Sequence, residues 1–130
     1  MKADLTKLRI AAVLGLLAVG LGAMGAHGLE KHWSATLEAV VAAKRLEIWK
    51  TAVLYQMFHA IVMLVLAFGF PEPRQARWAF RSFLLGVILF SGSLYGLCLT
   101  KISWLGPVTP IGGVLLMVGW LMLVFSGHKA

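Results

Sequence analysis

The amino-acid sequence predicts an all-α integral membrane protein, an antiparallel bundle of four transmembrane helices. Three observations carry that prediction. The chain is 60% hydrophobic and only 13% charged, against roughly 25% charged in an ordinary soluble domain. Its 12 Lys and Arg and 5 Asp and Glu residues fall into five groups that leave four long uncharged stretches. Each stretch has the length of a membrane crossing.

The uncharged stretches run from Ile10 to Leu29, Thr51 to Pro71, Ser82 to Thr100 and Ile102 to His128, or 20, 21, 19 and 27 residues. A helix rises about 1.5 Å per residue and the hydrocarbon layer is about 30 Å thick, so roughly 20 apolar residues suffice. The spans are expected at about 8–28, 50–70, 80–100 and 105–126 within a single membrane domain covering 1–130. Barrel strands would alternate in polarity over about 10 residues, and runs such as VILFSGSLYGLCL do not. Helices satisfy every backbone group within the segment and are the economical reading.

The first span follows Lys2, Lys7 and Arg9 and ends in small residues from Ala23 to Ala26, a pattern also found in secretory signal peptides. A signal peptide's apolar region is typically 7–15 residues. The run here is longer, so a retained helix is expected. An even number of spans puts both termini on the side of the 72–81 loop, with Lys2, Lys7, Arg9, Arg74, Arg77, Arg81 and Lys129. The other side carries Lys31, Lys44, Arg45, Lys50 and Lys101. Seven against five predicts both termini cytoplasmic in a multi-pass membrane protein. A net charge of +7 distributed in short juxtamembrane groups on both faces points to membrane lipids with anionic headgroups, not nucleic acid. Trp33, Trp49, Trp78 and Trp104 lie near predicted span ends, where indole favours the interface, and Trp120 lies deeper.

Between the first two spans, Leu37, Val40, Val41 and Ile48 share one helical stripe. The segment is expected to be helical, either lying at the interface with Lys44 snorkelling or extending the second span outward. Phe70-Pro71-Glu72-Pro73 ends the second helix in a short polar turn, since proline lacks the amide donor. Gly106, Pro107 and Pro110 restart the chain, with proline tolerated in a first helical turn.

Small residues predict where helices approach closely. Ala11, Gly15, Ala18, Gly22 and Ala26 form a stripe on the first helix, Gly92 and Gly96 make a GxxxG on the third, and Gly112, Gly113 and Gly119 lie on the fourth. Packing within one chain is the leading expectation for them, ahead of a homo-oligomer.

Polar side chains inside the spans are the candidate site. Tyr55, Gln56 and His59 occupy one arc of about 100° on the second helix. Ser91, Tyr95 and Cys98 share a face of the third, while Ser93 projects elsewhere. Counted inward from the charged ends, Tyr55 is level with Tyr95 and His59 with Ser91. His27 closes the first helix and Thr109 opens the fourth on that same side. A polar pocket is therefore predicted from His27, Tyr55, Gln56, His59, Ser91, Ser93, Tyr95 and Thr109. The competing reading is a hydrogen-bond network that only fixes the packing.

Chemistry beyond binding finds little footing. His27 and His59 differ in depth by roughly 10 Å, too much for two axial ligands of one haem. The spans contain no HxxxH, no ExxH and no carboxylate, so no metal site and no cofactor are expected. The lone Cys98 precludes an intramolecular disulfide. Ser91 with His59 is the one candidate nucleophile–base pair, and it lacks an orienting carboxylate, so no catalytic residue is assigned.

The strings LGAMGAHGLE at 21–30, YQMFHA at 55–60, LFSGSLYGLCLT at 89–100 and LGPVTPIGG at 105–113, with Gly119-Trp120 following, carry a resemblance. They resemble the YgdD/YwdK family of small membrane proteins, which has a mitochondrial relative. The resemblance implies a four-span inner-membrane protein across essentially the whole chain and brings no catalytic residue. Where the family pattern has Tyr, this chain has Phe58, which removes a hydroxyl. The expected function is a non-enzymatic bundle that binds lipid or serves as an accessory subunit of a larger membrane assembly. The alternative is a small oligomeric channel or transporter lined by Tyr55, Gln56, His59 and Ser91.

Overall fold

A computed structural model describes residues 2–69 and 73–126. Four helices in it are long and apolar enough to cross a membrane, over Leu5–Thr36, Ala39–Ala67, Arg74–Leu99 and Ser103–Val124. We label the regular α-helical segments α1 (Leu5–Met24), α2 (Glu30–Thr36), α3 (Ala39–Ala67), α4 (Pro73–Leu99) and α5 (Val108–Val124). Among the described residues there is no strand.

α1 starts where Asp4 accepts hydrogen bonds from the backbone N–H groups of Thr6 (3.1 Å) and Lys7 (3.2 Å). This N-cap satisfies donors that the first turn leaves open. The backbone N–H of Asp4 donates to the Ala67 carbonyl at 2.7 Å, which ties the start of α1 to the end of α3. At its other end α1 does not stop at the charged residues. It passes through one wide π turn, Gly25–Leu29, into α2.

The connection between the first two spans is resolved in favour of extension, from both sides. α2 prolongs the first span and α3 begins at Ala39, with the chain extended only at Leu37 and Glu38. No separate helix lies between them. α3 has 29 residues and so is roughly 43 Å long, which exceeds the hydrocarbon layer of about 30 Å. The Phe70–Glu72 part of the predicted proline turn lies outside the described residues, as do His128 and Lys129. Gly106 and Pro107 lead into α5, preceded by a single 3₁₀ turn, Ser103–Leu105.

The spans pack in chain order. α1 lies against α3, α3 against α4, and α4 against α5, with no close backbone approach between α1 and α5. The two inner helices hold most of the buried side chains, while α1 and α5 expose apolar residues such as Leu16 and Met117. One core cluster, toward the chain termini, is built on Met63, Leu66, Phe80, Phe83, Val87 and Leu116. A second, toward the 30–50 segment, joins Trp33, Ala42, Trp49 and Cys98. Trp33 and Trp49 are thus buried between helices, whereas Trp78 and Trp104 are exposed.

Two close approaches depend on the absence of a side chain. A Cβ at Gly25 would lie 2.5 Å from Cδ1 of Trp49, whose indole N–H donates to the Leu21 carbonyl at 2.8 Å. A Cβ at Gly112 would collide with the α4 backbone at Leu89 and Phe90. Gly22 meets Val53, Gly96 meets a Leu105 methyl, and Gly113 touches the Phe90 ring at ordinary distance. Gly15 and Gly92 have nothing within 4 Å of where a Cβ would be. The packing role expected for those two is therefore not played among the described residues.

Candidate functional site

The antiparallel register of α3 and α4 is read directly from two bonds. Ser91 Oγ donates to the Ala52 carbonyl at 2.7 Å, and Cys98 Sγ lies 3.4 Å from the Arg45 carbonyl. Seven residues along α4 correspond to seven residues back along α3. Ser91, Tyr95 and Cys98 all reach α3 from one face of α4, as their spacing requires.

This register corrects the levels expected from the sequence. His59 does not lie beside Ser91. It lies against Phe83, with ring centroids 5.4 Å apart, eight residues and so roughly 12 Å from Ser91 along α4. Tyr95 is beside Trp49, at 4.7 Å between centroids, and Tyr55 is beside Phe90, at 4.6 Å. The cause is that Lys50 does not end the second span's helix: α3 continues as helix to Ala39. Charged residues mark where the chain leaves the apolar phase, not where the helix ends.

His59 is buried, with both ring nitrogens engaged. Nδ1 is 2.7 Å from the Tyr55 carbonyl, which can only accept, so Nδ1 carries the proton. Nε2 then accepts the indole N–H of Trp120 at 3.1 Å. The imidazole is held as one neutral tautomer between α3 and α5. Protonating Nε2 would forfeit the Trp120 bond, and so would using it as a metal ligand or a base.

A second chain of bonds crosses three helices. The Tyr95 hydroxyl on α4 donates to Oε1 of Gln56 on α3 at 2.8 Å. Gln56 Nε2 donates to the Leu14 carbonyl on α1 at 2.9 Å. Tyr95 can do this although its Cα lies beyond Ser91, because helical side chains lean toward their own N-terminus. Between α4 and α5, Ser82 donates to the Leu115 carbonyl at 2.6 Å, and Ser93 pairs with Thr109. Most of these acceptors are helical carbonyls, whose second lone pair takes an extra donor without breaking the helix.

Of the eight predicted residues, Gln56, His59, Ser91 and Ser93 are buried. Tyr95 and Thr109 bond to two of them. Tyr55 is 41% exposed at the rim. His27 sits on the π turn, exposed and away from the others. The structure thus places these groups in four separate interhelical links, Ser91 to Ala52, His59 to Trp120, Tyr95 through Gln56 to Leu14, and Ser93 to Thr109, and not around one open pocket. Among the described residues no buried side-chain N or O atom lacks a partner. None of them form a group of three or more His, Cys, Asp and Glu placed to hold a metal ion.

Sequence reasoning passed over Trp120 and Ser82 as members of the network. The signal for Trp120 was present: an indole deep in a span carries an N–H that hydrocarbon cannot satisfy, so an acceptor on a neighbouring helix is required. The tight contact of Gly119 against Phe83 falls on a residue marked for close approach, whereas those of Gly25 and Gly86, against Trp49 and Leu116, carried no such signal.

Residues 21–113 match the family model described as protein of unknown function (DUF423). The UPF0382 membrane protein YwdK of Bacillus subtilis is 42% identical over 126 residues, covering 92% of this chain and 94% of the relative. A UPF0382 membrane protein of Schizosaccharomyces pombe is 39% identical, covering 88% and 95%. One from Haemophilus influenzae is 37% identical, covering 95% and 94%. No solved structure matches.

Proposed function

We propose, on the premise that this chain belongs to the DUF423 family of membrane proteins, that it is a non-enzymatic bundle that binds membrane lipid and acts as an accessory component of a larger membrane assembly. In this reading it resides in the cell inner membrane with both termini cytoplasmic, the side carrying the larger number of Lys and Arg residues. The observation that carries the proposal is the saturation of the polar interior. Gln56, His59 and Ser91 spend their hydrogen bonds on Leu14, Trp120, Tyr55 and Ala52. Interhelical bonds of this kind contribute about 0.6 kcal/mol each on average, enough in sum to fix one packing. A nucleophile would need an adjacent base to take its proton, whereas the Ser91 hydroxyl gives its proton to the Ala52 carbonyl and His59 Nε2 is engaged by Trp120.

The channel reading requires Tyr55, Gln56, His59 and Ser91 to face a path; Tyr55 is half-exposed with its ring on Phe90, and the other three are buried. They face neighbouring helices, which favours the lipid-binding bundle. Affinity purification in mild detergent followed by mass spectrometry tests the proposal. Co-purifying lipid or a reproducible membrane partner is expected, and recovery of the bare chain alone contradicts it. Liposome flux with wild type and His59→Ala is expected at background for both; flux through the wild type that His59→Ala abolishes would restore the channel.

A further inference from the structure

The cytoplasmic end of the bundle, as oriented above, holds an open cavity of about 530 Å3, within the range of small-molecule sites. It is formed where the segment before α1, the end of α3 and the first turns of α4 meet, and the bond from the Asp4 N–H to the Ala67 carbonyl holds two of these together. Its polar rim carries Lys2, Lys7, Arg77 and Arg81. Asp4 is the one carboxylate among the described residues that line it. That carboxylate already serves the α1 N-cap and pairs with Lys7 at 3.6 Å. Three cations of the rim therefore face the cavity beyond what Asp4 offsets.

The cations are placed to receive an anion, with Lys2, Arg77 and Arg81 exposed on the rim. Arg77 and Arg81 lie one and two turns into α4, four residues apart and so on one face of the helix. Below the rim the lining turns apolar, with Ile10, Leu66, Phe80 and Leu84. From Arg74 to Leu84 the helix descends roughly 15 Å, about the passage from headgroup level into hydrocarbon. The aromatic marker of that boundary is present, with Trp78 exposed and the Arg81 guanidinium 5.1 Å from its ring centroid. Lys7 Nζ stands 5.9 Å over the Phe80 ring at the transition between the two zones.

From this we infer that the cavity is a site for an anionic phospholipid, with the phosphate held by Lys2, Lys7, Arg77 and Arg81 and one acyl chain running down over Phe80 and Leu84. This rests on the lipid-binding reading above and gives it a place and a ligand class. Guanidinium groups suit phosphate because their paired N–H donors match its oxygens. A zwitterionic lipid would bring its own cation into a basic rim and is disfavoured.

The full chain, delipidated in mild detergent and equilibrated with equimolar phosphatidylglycerol and phosphatidylcholine of identical acyl chains, tests this by native mass spectrometry. Wild type is expected to retain phosphatidylglycerol in preference. Each cation near anionic lipid contributes about fivefold, so Arg77→Gln with Arg81→Gln should reduce that preference roughly 30-fold. Arg77→Lys with Arg81→Lys should keep most of it, and Lys44→Gln with Lys50→Gln, on the opposite face, should leave it within about twofold. Circular dichroism and gel filtration confirm that each variant folds. A preference that survives Arg77→Gln with Arg81→Gln overturns the site, as does equal retention of the two lipids by wild type, while lipid binding itself stands. Displacement of phosphatidylglycerol by inorganic phosphate alone makes the ligand a free anion and overturns the acyl-chain contact. If wild type retains no lipid of either kind, the lipid-binding function fails together with the site.

Discussion

Replacing Gly112 by alanine tests the α4–α5 interface at its closest point. The added methyl would lie 2.8 Å from both the Leu89 carbonyl carbon and Phe90 Cα, where carbon atoms prefer about 3.5–4.0 Å. The obstruction is backbone, so no side chain can swing aside, and the helices must part by roughly 1 Å. Parting them also stretches the Ser82–Leu115 and Ser93–Thr109 bonds. Overpacking typically costs about 1–3 kcal/mol, and the upper part of that range is expected here. Gly113→Ala meets only the Phe90 ring at 3.7 Å, and Gly92→Ala meets nothing within 4 Å. Both should stay within about 0.5 kcal/mol of wild type, helped by the better helix propensity of alanine. Equilibrium unfolding in mixed micelles with increasing dodecyl sulfate, followed by far-ultraviolet circular dichroism, measures all three. If Gly112→Ala unfolds no earlier than Gly92→Ala, the helix contact described here is wrong.

Trp120→Phe removes the donor to His59 Nε2 and should cost about 1 kcal/mol, with a coupling to His59→Phe of roughly 0.6–1.7 kcal/mol in a double-mutant cycle. Additive effects would show that the two rings do not bond. Gln56→Leu strands the Tyr95 hydroxyl and should destabilise by about 1–2 kcal/mol, most of it recovered when Tyr95→Phe is added, because deleting both partners is nearly neutral. Failure of that recovery would contradict the relay. The Asp4 carboxyl is held below its ordinary value of 3.8, chiefly by the backbone N–H of Lys7, with the Lys7 charge and the Thr6 N–H adding to it. Its folded value lies below its unfolded one, so its stabilising effect is present above the unfolded value and vanishes as pH falls through the folded value. Acid titration below about pH 4 should therefore weaken wild type and leave Asp4→Ala comparatively flat at that step.

The four spans were legible in the sequence because charge is excluded from hydrocarbon, and the gaps between charged groups record that exclusion. The polar faces of α3 and α4 were legible for a similar reason, since helical spacing alone aligns Gln56 with His59 and Ser91 with Tyr95 and Cys98. Relative depth was not. It depends on how far each helix continues beyond the apolar phase, and nothing in Glu30–Lys50 marks Leu37 and Glu38 as the break. Nor did the glycines sort themselves. Gly92 belongs to a GxxxG yet faces open space, while Gly25 accommodates Trp49, because the motif records spacing and the contact depends on which face the partner helix takes. The basic rim was visible as charge, but the cavity was not, since it arises from three segments far apart in the chain.

The central claim is that the intramembrane polar groups are closed off between helices. Thiol labelling of Ser91→Cys in a Cys98→Ala background tests it most directly, using a charged, water-soluble methanethiosulfonate reagent on open membrane sheets that give it access to both faces. Ser91 is 1% exposed and bonded to the Ala52 carbonyl, and cysteine adds little volume there. The account predicts no labelling of Ser91→Cys until the protein is unfolded in dodecyl sulfate, with Thr100→Cys, exposed at the end of α4, labelled at once. Labelling of Ser91→Cys in the folded protein at the rate of Thr100→Cys would mean that water reaches the network, and would contradict it.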